Sequence, residues 1–186
     1  HYPLRRQRQM CIRDREWVDG LGAQRVAVAL LGQGLQLRPA GFDDARLLFD
    51  GRNTEAVRRA SQQQAPLLWE EHCRWLRATL ADDQRLLLIA EAGDGEVGAL
   101  RYDRLEPSRA RASLYLFDGC LDLGWGRQLL AAGERALLAH WPQVQVIEAQ
   151  VLADNPASLG LFRGAGYIQS HCHFERLLKD SQHEQF

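Results

Sequence analysis

From residue 35 onward, stretches of alternating polarity take turns with stretches of helical period. Leu35, Gln36, Leu37 and Arg38 alternate apolar and polar until Pro39 breaks the run, which predicts a strand. Asp43 or Asp44 can open a helix carrying Ala45, Leu47, Leu48 and Phe49, and a second helical region covers 54–61. Trp69, Cys73, Leu76 and Leu80 recur at spacings of four, three and four, one face of a third helix over 69–80. Three strands follow over 85–91, 97–105 and 109–117, the first two joined by the turn signal Gly93-Asp94-Gly95. A long helix runs from Gly124 or Gly126 to His140, with Leu130 and Leu137 a heptad apart. A strand over 143–152, a helix from Pro156 to about Gly164 and a last strand over 167–178 complete the pattern.

Three consecutive strands imply an antiparallel meander, and the later alternation of helix and strand implies a crossover. The expected fold is α/β, an α+β sandwich of one mixed central sheet with helices on both faces. Residues 34–180 form this domain, and 181–186 a tail. Residues 1–15 are basic and polar without a period, and are read as a disordered or non-native tail. Residues 16–33 hold the turn signal Asp19-Gly20 and a short apolar helix, too little to fold alone.

The chain has 186 residues and a formal net charge of -1, a balance that argues against bulk electrostatic binding of nucleic acid. No apolar run approaches the ~18 residues of a membrane span. Cys11, Cys73, Cys120 and Cys172 form no C-x-x-C pair, which fits a reducing cytoplasm and no thiolate zinc site. His171, Cys172 and His173 are read as the polar face of the last strand, so no metal is expected. An exposed strand edge allows a homodimer.

The chemistry concentrates in residues 117–127, which link a strand to the long helix. Gly124 and Gly126 let backbone N–H groups point into one concavity, and the helix N-terminus adds partial positive charge, a combination suited to pyrophosphate. Arg127 can add a cation. The strand ASLYLF, the loop LDLGWGRQLL and the segment VLADNPASLGLFRGAGY resemble the general control non-repressed 5 related N-acetyltransferase superfamily over about residues 35–178. The resemblance implies acetyl-CoA as donor and no metal. It implies a pyrophosphate site from Leu121 to Arg127, with Gly124, Trp125 and Gly126 between them. It also implies a pantetheine arm paired with the backbone of Leu116 and Phe117, and Asn155 and Phe162 beside the cofactor. The first loop position is Leu121, where the superfamily carries Gln or Arg.

A narrower resemblance rests on Arg52-Asn53, Val57-Arg58 and the run Trp69 to Leu76 with its Glu71-His72 pair. These residues resemble N-acetyltransferases that act on a UDP-linked 4-amino-4,6-dideoxy sugar in pseudaminic acid biosynthesis. Residues 17–30 resemble the tail of the UDP-sugar hydrolase of that pathway, which would make the chain the C-terminal part of a fusion. The implied acceptor is a nucleotide sugar, read by Arg52, Asn53, His72 and Trp75. Alternatives are a protein N-terminus, a polyamine, or acyl-CoA binding without catalysis.

Direct attack needs a neutral amine, an oxyanion donor (backbone N–H near Leu116) and an acid for the leaving thiolate. The superfamily's usual tyrosine, seven residues after the motif asparagine, is Phe162 here. Tyr115 is its expected substitute, ahead of Tyr102 and Tyr167. His72 and Glu71 are candidates for substrate binding or proton removal, and Glu148, a further catalytic candidate, shares a strand face with Gln150 that can floor the acceptor cavity.

Overall fold

The computed structural model describes residues 34–170, apart from residues 94 and 122. β1 (Gln36–Pro39) passes through a 3-10 turn (Phe42–Asp44) into α1 (Ala45–Asn53), α2 (Glu55–Arg59) and α3 (Trp69–Leu80). The meander is β2 (Arg85–Ala92), β3 (Gly95–Glu106) and β4 (Arg109–Leu116), followed by α4 (Trp125–His140), β5 (Val146–Ala149) and α5 (Pro156–Gly164). The sheet order is β1-β2-β3-β4-β5. Neighbours are antiparallel except β4 and β5, which are joined through α4 and run parallel. The expected meander and crossover are both present.

Alternation along the strands divides the side chains between two cores. One face presents Leu100, Tyr102, Ala110 and Ala112 to Trp125, Leu129 and Leu137 of α4. The contact is close because Gly133 has no side chain: a Cβ there would lie 1.9 Å from Leu100 Cδ2. The opposite face presents Leu87, Ile89, Ala99 and Phe117 to Ala45 and Leu48 of α1 and Leu76 of α3. Gly51 plays the same part on this side, since its Cβ would lie 2.6 Å from the Phe117 ring.

The second face changes character along its strands. Beyond the helices, the register aligns Arg85 with Asp103, Asp103 with Arg111, and Arg111 with Glu148. Opposite charges on adjacent strands support each other. Arg111 meets Glu148 at 2.7 Å, and Arg101 meets Asp103 at 2.8 Å.

Three expected elements differ from those observed. The strand over 143–152 is reduced to Val146–Ala149, because Val144 closes a turn onto Trp141 and the chain parts from β4 after the Ala112–Ala149 pair. The helix over 54–61 is one short turn, Glu55–Arg59, capped by the Thr54 side chain. Residues 167–170 are not strand, and the remainder of the expected strand, with His171, Cys172 and His173, lies outside the described residues. Residues 1–33 and 181–186, with the tail and fusion readings attached to them, also lie outside.

Candidate active site

β4 outruns its parallel neighbour. The β4–β5 register ends at the pair Ala112 and Ala149, whereas β4 continues to Leu116. The Phe117 N–H donates to the Val97 carbonyl on the β3 side at 2.9 Å. Backbone groups alternate sides along a strand, so Leu114 and Leu116 turn their N–H and C=O toward the side β5 has vacated. An extended, amide-bearing arm can add there as a short strand. Leu116 leaves its backbone groups available for such an arm, whereas Phe117 does not. Phe117 gives its N–H to β3, and its carbonyl accepts from Cys120 N–H at 3.1 Å.

The loop after β4 ends at Gly124, whose φ of 80 is left-handed, a conformation glycine adopts without strain. Gly124 supplies no side-chain cap to α4, so among the described residues the first-turn amides of Trp125, Gly126 and Arg127 are available for an anion. The Trp125 side chain is buried in the α4 core and contributes only its backbone. Leu121 is exposed. The Arg127 guanidinium lies over Gly164 at the end of α5, at 2.8 Å from where a Cβ would stand. It therefore leans on the end of α5.

Asn155 is a helix cap. Its Oδ1 accepts from Ser158 N–H at 3.0 Å, and its Nδ2 faces the Ala60 carbonyl at 3.5 Å. Both halves of the amide have partners within the chain, a departure from the cofactor contact expected of it. Phe162 is half-buried against Tyr167, ring centres 5.0 Å apart.

The other half of the site is built from side chains on the α1–α3 face. Arg52, at the end of α1, donates from Nη2 to the Gln63 carbonyl at 3.0 Å, while Nη1 is buried with no partner among the described residues. Burial pulls its pKa down, and the charges of Arg101 and Arg58 act in the same direction. Arg58 donates to the Asn53 and Gln64 carbonyls at 3.2 and 3.3 Å. The Arg101 guanidinium lies 5.6 Å from the centre of the half-buried Trp75 ring system. The nearby carboxylates Asp103 and Glu148 are already ion-paired.

The structure reassigns several expected site residues. His72 is buried in the α1–α3 interface among Phe49, Trp69 and Trp75, with Nε2 3.0 Å from the Ala45 carbonyl. Burial lowers its pKa, and neither ring nitrogen reaches the open face. Glu148 is held by Arg111 at 2.7 Å with Arg109 at 3.8 Å, so its carboxylate is engaged where a base needs it free. Asn53 holds the Leu67 backbone from both sides: Oδ1 accepts from Leu67 N–H at 2.7 Å and Nδ2 donates to Leu67 O at 3.3 Å. The Tyr115 hydroxyl donates to the Leu48 carbonyl at 3.2 Å, and burial raises its pKa. Tyr102 is buried beneath α4, and Tyr167 donates to Glu134 at 3.0 Å, which removes both as substitute acids. The expectations missed Arg101. Its signal was available as a polar residue in the alternation of β3, but nothing local said which face it joined.

A mixed sheet whose parallel pair parts beside a glycine-closed helix N-terminus defines an acyl-CoA N-acyltransferase fold. Residues 35–168 match the model of the acetyltransferase (GNAT) domain family, and the chain belongs to that family. A domain from Methanocaldococcus jannaschii superposes with a TM-score of 0.66 at 20% identity, over 74% of this chain and 90% of that one. Spermidine N-acetyltransferase from Vibrio cholerae, solved with CoA and spermine, gives 0.67 at 16% identity over 78% and 88%. An aminoglycoside acetyltransferase solved with coenzyme A gives 0.64 at 17% identity over 74% and 86%. No curated protein sequence matches the chain.

Acetyl-CoA is the acyl donor of this family, and the residues present fit it. The free edge of β4 at Leu114 and Leu116 suits its amide-bearing arm, and the open first turn of α4 suits its pyrophosphate. Among the described residues no cluster of three or more potential ligand side chains could hold a metal ion. No described helix is long and apolar enough to cross a membrane.

Proposed function

We propose that this chain transfers the acetyl group of acetyl-CoA to the 4-amino group of a UDP-linked 4-amino-4,6-dideoxy sugar, as in pseudaminic acid biosynthesis in the cytoplasm. The observation that carries the acceptor is the charge of the open face. Arg52 and Arg58 lie there near Arg101, which sits over Trp75 and pairs with Asp103, while Glu148 is taken by Arg111. A polycation would meet repulsion on such a face, whereas a diphosphate and a base find cations and an aromatic plane.

The donor supplies an activated acyl carbon. A C–N bond forms as the C–S bond breaks, the amine loses a proton and the thiolate gains one. The chain's part is mainly to hold the two reactants together. The Leu116 N–H, on the open edge of β4, is the donor we assign to the developing oxyanion. With Glu148 and His72 both engaged, water at the open face takes the amine proton in this reading.

The test is acetyl-CoA turnover with three amines in parallel, followed by mass of the acetylated product. The acceptors are the UDP-4-amino-4,6-dideoxy sugar, spermidine and a peptide N-terminus. Product from the nucleotide sugar alone is expected. Product from spermidine or the peptide alone would keep the family and discard the sugar. Cofactor binding without product from any amine would return the chain to a non-catalytic acyl-CoA binder.

A further inference from the structure

Residues 60–68, between α2 and α3, cross the open face as a strap. Residues 62–66 are exposed, and little apolar burial holds them. One end is fixed: Asn53 pins the Leu67 backbone through two hydrogen bonds. The other end reaches the far side of the site. Gln62 Nε2 donates to Gln150 Oε1 just past β5 at 3.1 Å, and Ala60 O faces Asn155 Nδ2 at 3.5 Å. A cleft of about 400 Å³ opens between Ala60 and Gln64 of the strap and Asp154 and Pro156 at the start of α5. The strap therefore bridges a gap and is not packed onto a surface.

Its middle is held by charge. The guanidiniums of Arg52 and Arg58 donate to consecutive strap carbonyls, Gln63 O at 3.0 Å and Gln64 O at 3.3 Å. Beside them Arg52 Nη1 is buried and has no partner among the described residues. A guanidinium bound to a neutral carbonyl is in a weaker arrangement than one bound to phosphate, where both partners are charged and the contact can be bidentate.

We propose that the strap is a charge-keyed gate: an anionic group of the acceptor takes the Arg52 and Arg58 guanidiniums from the Gln63 and Gln64 carbonyls, and the Gln62–Gln150 latch then leaves β5. The proposal rests on the nucleotide-sugar reading of the acceptor. It adds a source of selectivity, because a neutral or cationic amine has nothing with which to displace the carbonyls and leaves the strap shut.

The experiment uses the full chain with Gln62→Cys and Gln150→Cys, in a background with Cys11, Cys120 and Cys172 changed to serine. A short bifunctional thiol reagent that fluoresces only on bridging reports how often the two ends meet. Saturating UDP is expected to slow bridging several-fold, while uridine and spermidine leave the rate unchanged. Arg58→Gln, which keeps an amide donor but no charge, is expected to abolish the UDP response. UDP that binds by calorimetry yet leaves bridging unchanged overturns the gate and spares the acceptor reading. Absence of UDP binding to the unmodified chain overturns the acceptor reading, and the gate with it.

Discussion

The two halves of the site are built from different materials. The donor half is backbone: the edge of β4 at Leu114 and Leu116, unpaired among the described residues, a left-handed Gly124, and the first turn of α4. The proposed acceptor half is side chains: Arg52, Arg58, Arg101 and Trp75, drawn from three helices and a strand. A backbone site tolerates change in its side chains so long as its path survives, which is why Leu121 can stand where relatives carry a polar residue. A side-chain site has no such tolerance. Each of its groups is set by whatever else lies within hydrogen-bond reach.

The largest expected effect attacks the backbone half. Gly126→Asp puts a carboxylate at the open turn, and like charges there cost several kcal/mol, so acetyl-CoA affinity should fall about 100-fold or more. Gly126→Ala should be nearly silent, since its Cβ would sit 3.4 Å from Leu161 Cδ2, within ordinary reach of a flexible side chain. Calorimetric titration with acetyl-CoA separates the two, and equal affinities would remove the loop from the donor site.

Gly133→Ala tests the scaffold behind that half. The new Cβ would meet Leu100 Cδ2 at 1.9 Å in a fully buried core, and overpacking of this kind costs about 1–3 kcal/mol. Urea unfolding should show the loss, and unchanged stability would mean that Leu100 has room to move.

Arg101→Ala tests the acceptor half. The KM for the nucleotide sugar should rise about 10-fold, the size of one charge-assisted contact, with acetyl-CoA affinity unchanged. A fall in acetyl-CoA affinity instead would show that the two halves are not separable.

Glu148→Gln should lower kcat less than 10-fold, whereas loss of a general base costs roughly 100-fold or more. A larger fall, with the acidic limb of the pH profile lost, would restore Glu148 as the base despite its ion pairs.

The smallest effect concerns His72, where burial holds the pKa below its ordinary 6.5. The unfolded chain then binds more protons than the folded one, so stability rises with pH through the region below about 6.5 and is lost as pH falls. Urea midpoints between pH 5 and 7.5 should show this slope, and His72→Gln should flatten it.

Much of the fold was legible in the sequence because it rests on local rules. The apolar run of β2, the alternation of β4, period three to four over α3 and α4, and the turn at Gly93 each state their element without outside help. β5 was overestimated because its length is decided by where the chain parts from β4, and no residue of β5 records that. The donor half was legible for the same reason as the helices: strand, glycine and helix start are contiguous, and their backbone groups need only local geometry.

Asn53, His72, Asn155 and Glu148 have the chemistry of site residues, and sequence alone placed them at the site. The tertiary structure gave each a partner far along the chain, in Leu67, Ala45, Ala60 and Arg111, and so turned them into supports. The sequence by itself determined the strands, the helices and the anion-ready loop, because hydrophobic period and glycine geometry act over a few residues. Only the tertiary structure decided which polar side chains are taken up by partners within the chain, because the availability of a hydrogen bond depends on every group that packing brings within about 3 Å.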